Sequence, residues 1–170
     1  MKPRAAQHIV RQASEAGLRG TADMSHKRLG FLKGSWDLLE ATFTASDGSV
    51  HMPWGPSPIG IGLITESGDF SAHVMRAHRD RFASEDPTPT EKQRVYDDYF
   101  SYFGRILRFD DVEGTMISQV GGASNPNWTG GEQVRYLDIE DQDHIVFRTP
   151  PLAFAGTKLV GRLRWQRRRA

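Results

Sequence analysis

The sequence contains no cysteine. That absence removes disulfide scaffolds, thiolate catalysis, cysteine-ligated zinc and cysteine-bound iron–sulfur clusters, and it leaves only His, Asp and Glu to hold a metal. Long apolar runs are also missing. No stretch approaches the roughly 20 residues that span a bilayer, and the N-terminal segment lacks the apolar core of a secretory signal. A cytoplasmic protein without a membrane partner is the expectation. Excess charge is scarce too, at a net +1, but the charge is unevenly placed. Of the 22 Lys/Arg and 21 Asp/Glu, residues 1–28 take six and two, and residues 161–170 take five and none. Residues 29–160 are left with 11 bases and 19 acids, a net charge of −8 that makes a poor nucleic-acid surface. The C-terminal arginines read as a solvated chain end.

Also absent are the short motifs of familiar chemistries. "GIGLITESG" has threonine where a dinucleotide-binding loop needs its last glycine, and neither GxxxxGK[ST] nor GxSxG occurs. No HxH, HExxH or acidic metal loop appears, and no haem attachment motif, so neither a metal nor a cofactor is expected.

What is present is a globular composition, 38% hydrophobic and 25% charged over 170 residues, enough for one domain with a substantial core. Ala6, Ile9, Val10 and Ala13 fall at helical spacing before Gly17, so an amphipathic helix is expected in an N-terminal extension over 1–28. Met24 opens "MSHKRLGFLKGSW" like a second natural start, which makes 1–23 a candidate dispensable segment. The domain proper is placed at 29–170.

From Gly34 onward the pattern changes to short stretches rich in Val, Ile, Thr and aromatics, punctuated by turn residues. Strands are expected at about 34–45, 59–66, 69–77, 104–111, 115–121, 132–140, 144–149 and 157–167. The tight connections "ESGD", "DDVEG" and "EDQD" imply antiparallel neighbours. Thr88, Pro89 and Glu91 form a capping box for a helix between the third and fourth strands. Its stripe is extrapolated through Val95, Tyr99 and Tyr102, with Tyr96, Phe100 and Phe103 beside it, as far as Gly104. An all-β fold follows, with one or two helices and an antiparallel barrel of about eight strands, since closure removes unpaired edges. A barrel of that size holds one small ligand.

"GSWDLLEATF" resembles the Gly-x-Trp start of the first strand in lipocalin-like barrels. With "PWGPSPIGIGLI", "SAHVMRAHRDRF", "YDDYFSYFGR" and "NPNWTGGEQVR" in this order, the chain is similar to the bacterial and fungal lipocalin-like domain family over about residues 29–166. The resemblance implies a compact barrel with an internal cavity, found alone or beside genes of secondary metabolism. Related barrels include carriers of apolar molecules and a few cyclases and isomerases. Trp36 then reads as the aromatic closing the barrel floor, beneath an arginine of the last strand such as Arg162 or Arg164.

In the third strand, alternation puts Ser71, His73 and Met75 on one face. If that face is internal, His73 is a candidate acid or base; its alternative is ordinary hydrogen bonding. His78, five residues on, faces the other way in an unbroken strand, which disfavours a shared metal. Glu40 shares the alternation of Trp36 and Leu38 unless a bulge intervenes, and as an inward carboxylate it would need a partner such as Arg105, Arg135 or Arg148. Tyr99 and Tyr102 are candidate ligand contacts from a helical lid, and Trp54 and Trp128 hang in Gly/Pro-rich loops where an aromatic can cover an opening.

The leading expectation is a small-molecule-binding barrel for a largely apolar, oxygenated or aromatic metabolite, lined by Trp54, His73, Met75, Tyr99, Tyr102, Trp128 and Arg135. The alternative is a cofactor-free cyclase, isomerase or dehydratase in which His73, Tyr102 or Glu40 moves a proton. A structural module with a collapsed core is the third reading. Barrel edges and the N-terminal helix are where a homodimer would form.

Overall fold

The computed structural model describes residues 29–154 and 157–169. The N-terminal extension, with its expected helix, lies outside them. The chain runs β1 (Gly34–Ala45), β2 (Val50–His51), β3 (Ile59–Ile64), β4 (Asp69–Met75), a helix (Pro89–Asp97), β5 (Tyr99–Asp110), β6 (Thr115–Ala123), β7 (Glu132–Ile139), β8 (His144–Arg148), β9 (Leu152–Phe154) and β10 (Thr157–Arg167). Eight of these strands form a closed antiparallel barrel in the order β1-β3-β4-β5-β6-β7-β8-β10, with β10 returning to pair with β1. The two shortest, β2 and β9, extend β1 and β10 beyond the ring.

Because strand direction alternates, the connections segregate to opposite ends. The tight turns at 65–68, 111–114 and 140–143 lie at one end, the floor. The longer loops, β2, β9 and the Pro89–Asp97 helix lie at the other, the mouth. The capping box at Thr88 is present: the Glu91 amide donates to Thr88 Oγ1, and the Thr88 amide donates to Glu91 Oε2.

The helix is shorter than its stripe predicts. It ends at Asp97, and Tyr99 already belongs to β5. From Met75↔Tyr99 to Ser71↔Phe103, this segment pairs residue for residue with β4. A ladder filled by aromatics, which fit a pleated surface, outweighs a helical stripe that has little to pack against.

The floor is closed by a helical turn over 29–32 and by Trp36, only 2% exposed, whose Nε1 donates to Leu32 O at 2.8 Å. An arginine of the last strand does cover Trp36, but it is Arg167. Its guanidinium lies 4.2 Å from the Trp36 ring and 4.9 Å from Phe31. It donates to Phe31 O at 2.6 Å, Lys33 O at 3.0 Å and Gln142 O at 3.3 Å. Arg162 and Arg164 have the opposite parity and pair outside the barrel with Glu40 and Glu140. The neighbouring arginines are also held rather than forming a loose basic end, with Arg168 on Asp37 and Arg169 on Asp143.

Three register shifts, one in β1 and two between β5 and β6, set which side chains face inward. In β1 the register shifts between Leu38 and Glu40, so Trp36 and Leu38 point in before it and Ala41, Phe43 and Ala45 after it. Between β5 and β6 the register shifts at Phe103/Gly104. A Cβ on Gly104 would stand 1.9 Å from Gln119 O, so only glycine fits this crossing.

Candidate ligand cavity

Inward alternation along the eight strands leaves an open space of about 750 Å³ above the floor. Small side chains make the room: Gly62 and Ala72 face inward on β3 and β4, opposite the bulk of Trp165 and Tyr102. Aromatic rings line the upper part in a continuous chain. Phe43 meets Trp54 edge-on at 5.9 Å, and Trp54 lies 6.4 Å from Phe100. Phe100 contacts Trp128 at 4.9 Å, Trp128 meets Tyr102 at 5.5 Å, and Tyr102 meets Phe70 at 5.3 Å. Trp54 comes from the β2–β3 loop, and Trp128 from a 3₁₀ turn over Pro126–Trp128 that Asn125 caps. These loop tryptophans are therefore fixed to the strands by ring contacts.

Arg135 enters this apolar wall from β7, on the same face as Leu137, and is only 6% exposed. Its Nη1 donates to Val134 O at 2.7 Å and Gln133 Oε1 at 3.2 Å. Its guanidinium lies 5.5 Å from the Trp128 ring and 5.7 Å from Tyr102. At the floor side of the cavity, Trp165 is buried with its Nε1 meeting no acceptor among the described residues.

Trp54, Tyr102, Trp128 and Arg135 thus share one cavity, whereas His73, Met75 and Glu40 do not. On β4 it is Phe70, Ala72 and Val74 that point inward, so the Ser71/His73/Met75 face is external. There His73 Nε2 lies 2.9 Å from Ser71 Oγ, and His73 Nδ1 lies 2.6 Å from the Tyr99 hydroxyl. Tyr99 borders the mouth, but this contact turns its hydroxyl outward. Met75 instead receives Arg79 at its sulfur, 3.9 Å away. β4 stops at Met75, and His78 sits in a left-handed conformation at φ 52°. Glu40 faces outward because of the β1 bulge, and its carboxylate accepts from Arg162 at 3.2 Å rather than from Arg105, Arg135 or Arg148. Among the described residues, no three or more His, Asp or Glu side chains gather as a metal set.

Sequence reasoning missed Phe43, Phe70 and Phe100 as cavity residues. The signal was available for Phe100: two-residue alternation begun at Tyr99 puts Phe100 and Tyr102 on one face, but the helical stripe concealed it. Phe43 required knowledge of the bulge.

The clearest electrostatic perturbations lie outside the cavity. Hydrogen bonds from the Ser49 hydroxyl and amide hold the Asp47 carboxyl below its ordinary range. The Asp143 amide and His144 side chain do the same for Asp141 at a floor turn. Glu91 is held down by the amides of Ala83 and Thr88 and the Thr88 hydroxyl, which ties the preceding loop to the first turn of the helix. Asp138 raises the Arg148 guanidinium, and the pair lies on the outer wall against Tyr136.

The profile of a lipocalin-like domain matches residues 33–168. The chain belongs to the lipocalin-like domain family. This agrees closely with the span of the resemblance carried by "GSWDLLEATF" and the later segments. Among solved structures, a de novo designed fluorescence-activating β-barrel is similar to this lipocalin-like chain at 13% identity and a TM-score of 0.41, over 82% of this chain and 96% of that one. No curated protein matches. A lipocalin-like barrel with this interior is consistent with binding a small hydrophobic ligand, and among the described residues no helix is long and apolar enough to cross a membrane.

Proposed function

We propose that this lipocalin-like barrel binds one small, largely apolar metabolite of aromatic or oxygenated character within its cavity. The observation that carries the reading is the cavity itself. At about 750 Å³ it falls in the range of small-molecule sites, and its wall combines continuous aromatic surface with a few polar groups. Aromatic rings provide large contact area at low conformational cost, and Arg135 supplies orientation.

Titration with the neutral fluorophore 1-aminoanthracene tests this directly. Enhanced, saturable emission is expected from the wild type and strong loss from Ala72→Trp, which fills the cavity from an inward-facing position. Absence of saturable binding by the folded wild type would favour the structural reading. Native mass spectrometry of protein from its own host then identifies the resident molecule.

A cofactor-free cyclase, isomerase or dehydratase is the second reading, and what supports it is Tyr102 beside Arg135 in the same cavity. There a cation would stabilise developing negative charge while the tyrosine transfers a proton. External His73 is an unfavourable proton donor for this site. Loss of conversion with retained affinity in Tyr102→Phe would select the enzyme; an unchanged molecule recovered from wild type would select carriage.

A further inference from the structure

Among the described residues Arg135 is the one charged side chain deep in the cavity wall, and no opposite charge lies beside it there. Among the described residues no carboxylate pairs with it, and no acceptor meets its Nε or Nη2. Of the residues lining the cavity, the one acid is Asp97, exposed at the rim where the helix ends; the other basic group, His51, is also exposed at the mouth. A guanidinium cannot escape burial by losing its proton, as a lysine can. Two neutral acceptors and two aromatic faces hold it in the wall, and the donors they leave over are not sealed among protein atoms but open on the cavity.

The geometry of the group indicates which partner it fits. Guanidinium donors are arranged as a planar fork that matches the two oxygens of a carboxylate. The aromatic faces of Tyr102 and Trp128 and the acceptors Gln133 Oε1 and Val134 O hold one side of the group in place. We infer that the cavity selects an apolar molecule carrying a single carboxylate, whose head pairs with Arg135 while its body lies along the rings from Trp128 to Phe43. This rests on the cavity-binding reading above and narrows it to a class, the apolar monocarboxylic acids.

The arrangement at the floor shows that open donors are not general to the arginines of this barrel. Arg167 also lies on two aromatic rings, but three backbone carbonyls accept from its Nε, Nη1 and Nη2.

The test compares cis-parinaric acid with its methyl ester, which share the same fluorescent chain and differ only in the charged head. Wild-type protein should bind the acid about 10- to 100-fold more tightly than the ester, the range expected for hydrogen bonds to a charged partner. Arg135→Met should erase the preference, so that acid and ester bind alike, and Arg135→Lys should retain part of it because the charge remains but the fork is lost. Equal affinity of the wild type for acid and ester would overturn the inference while leaving the cavity reading standing, and needs no variant to be folded. A preference that survives in folded Arg135→Met would also overturn it. If neither probe nor 1-aminoanthracene binds, the cavity reading fails and this inference fails with it.

Discussion

Arg167 and Arg135 show how the floor and the cavity of this barrel differ. Each lies against two aromatic rings, yet Arg167 is finished by carbonyls of the chain itself, whereas Arg135 has the donors of only one nitrogen satisfied. The floor is a structural plug in which rings, cation and backbone complete one another. The cavity wall keeps the same kinds of group but leaves them open. Polar groups left without a protein partner in a folded interior lower stability, which a complete plug such as the floor avoids.

The sharpest way to break this comparison is to remove the floor. Trp36→Ala should destabilise the barrel by about 3–5 kcal/mol in urea unfolding, since it empties a packed site and orphans Leu32 O. Arg167→Met should cost less, about 1.5–3 kcal/mol, through its lost charged hydrogen bonds. Arg135→Met should leave stability within about 1 kcal/mol of wild type or raise it, because it removes a buried charge that lacks a counter-ion. An Arg135→Met cost equal to that of Arg167→Met would erase the distinction between the two ends.

The tryptophans sharpen it further. Trp36 donates its N–H, whereas Trp165 buries one without an acceptor. Trp165→Phe should therefore stay within about 1 kcal/mol of wild type by thermal unfolding, while Trp36→Phe should cost about 1–3 kcal/mol. The smallest effect concerns acid at the mouth. Glu91 has a depressed pKa in the folded state, so its contribution is complete above the unfolded value and is lost as pH falls through the folded one. Helical circular dichroism should begin to fall below about pH 4.3, the ordinary glutamate value, and Glu91→Gln should flatten that dependence.

Much of the barrel was readable because period-two alternation and turn residues are local signals. Strands such as 34–45 and 157–167, and the capping box at Thr88, depend on neighbours in sequence. The Tyr99–Phe103 segment reads as helix from sequence because its aromatics satisfy a helical stripe and a strand pattern equally, and pairing with β4 decides for the strand. One bulged residue turns Glu40 outward, and alternation by itself does not choose the face of β4 on which His73 lies.

By itself the sequence determined the eight barrel strands apart from Tyr99–Phe103, their antiparallel order and the closed barrel, since these follow from alternation, turn length and the penalty on open edges. Tertiary structure alone decided which face of each strand lines the cavity. Register and bulges are set by contacts between strands distant in the chain, and they placed Arg135, Tyr102 and Trp128 together inside while turning His73 and Glu40 out.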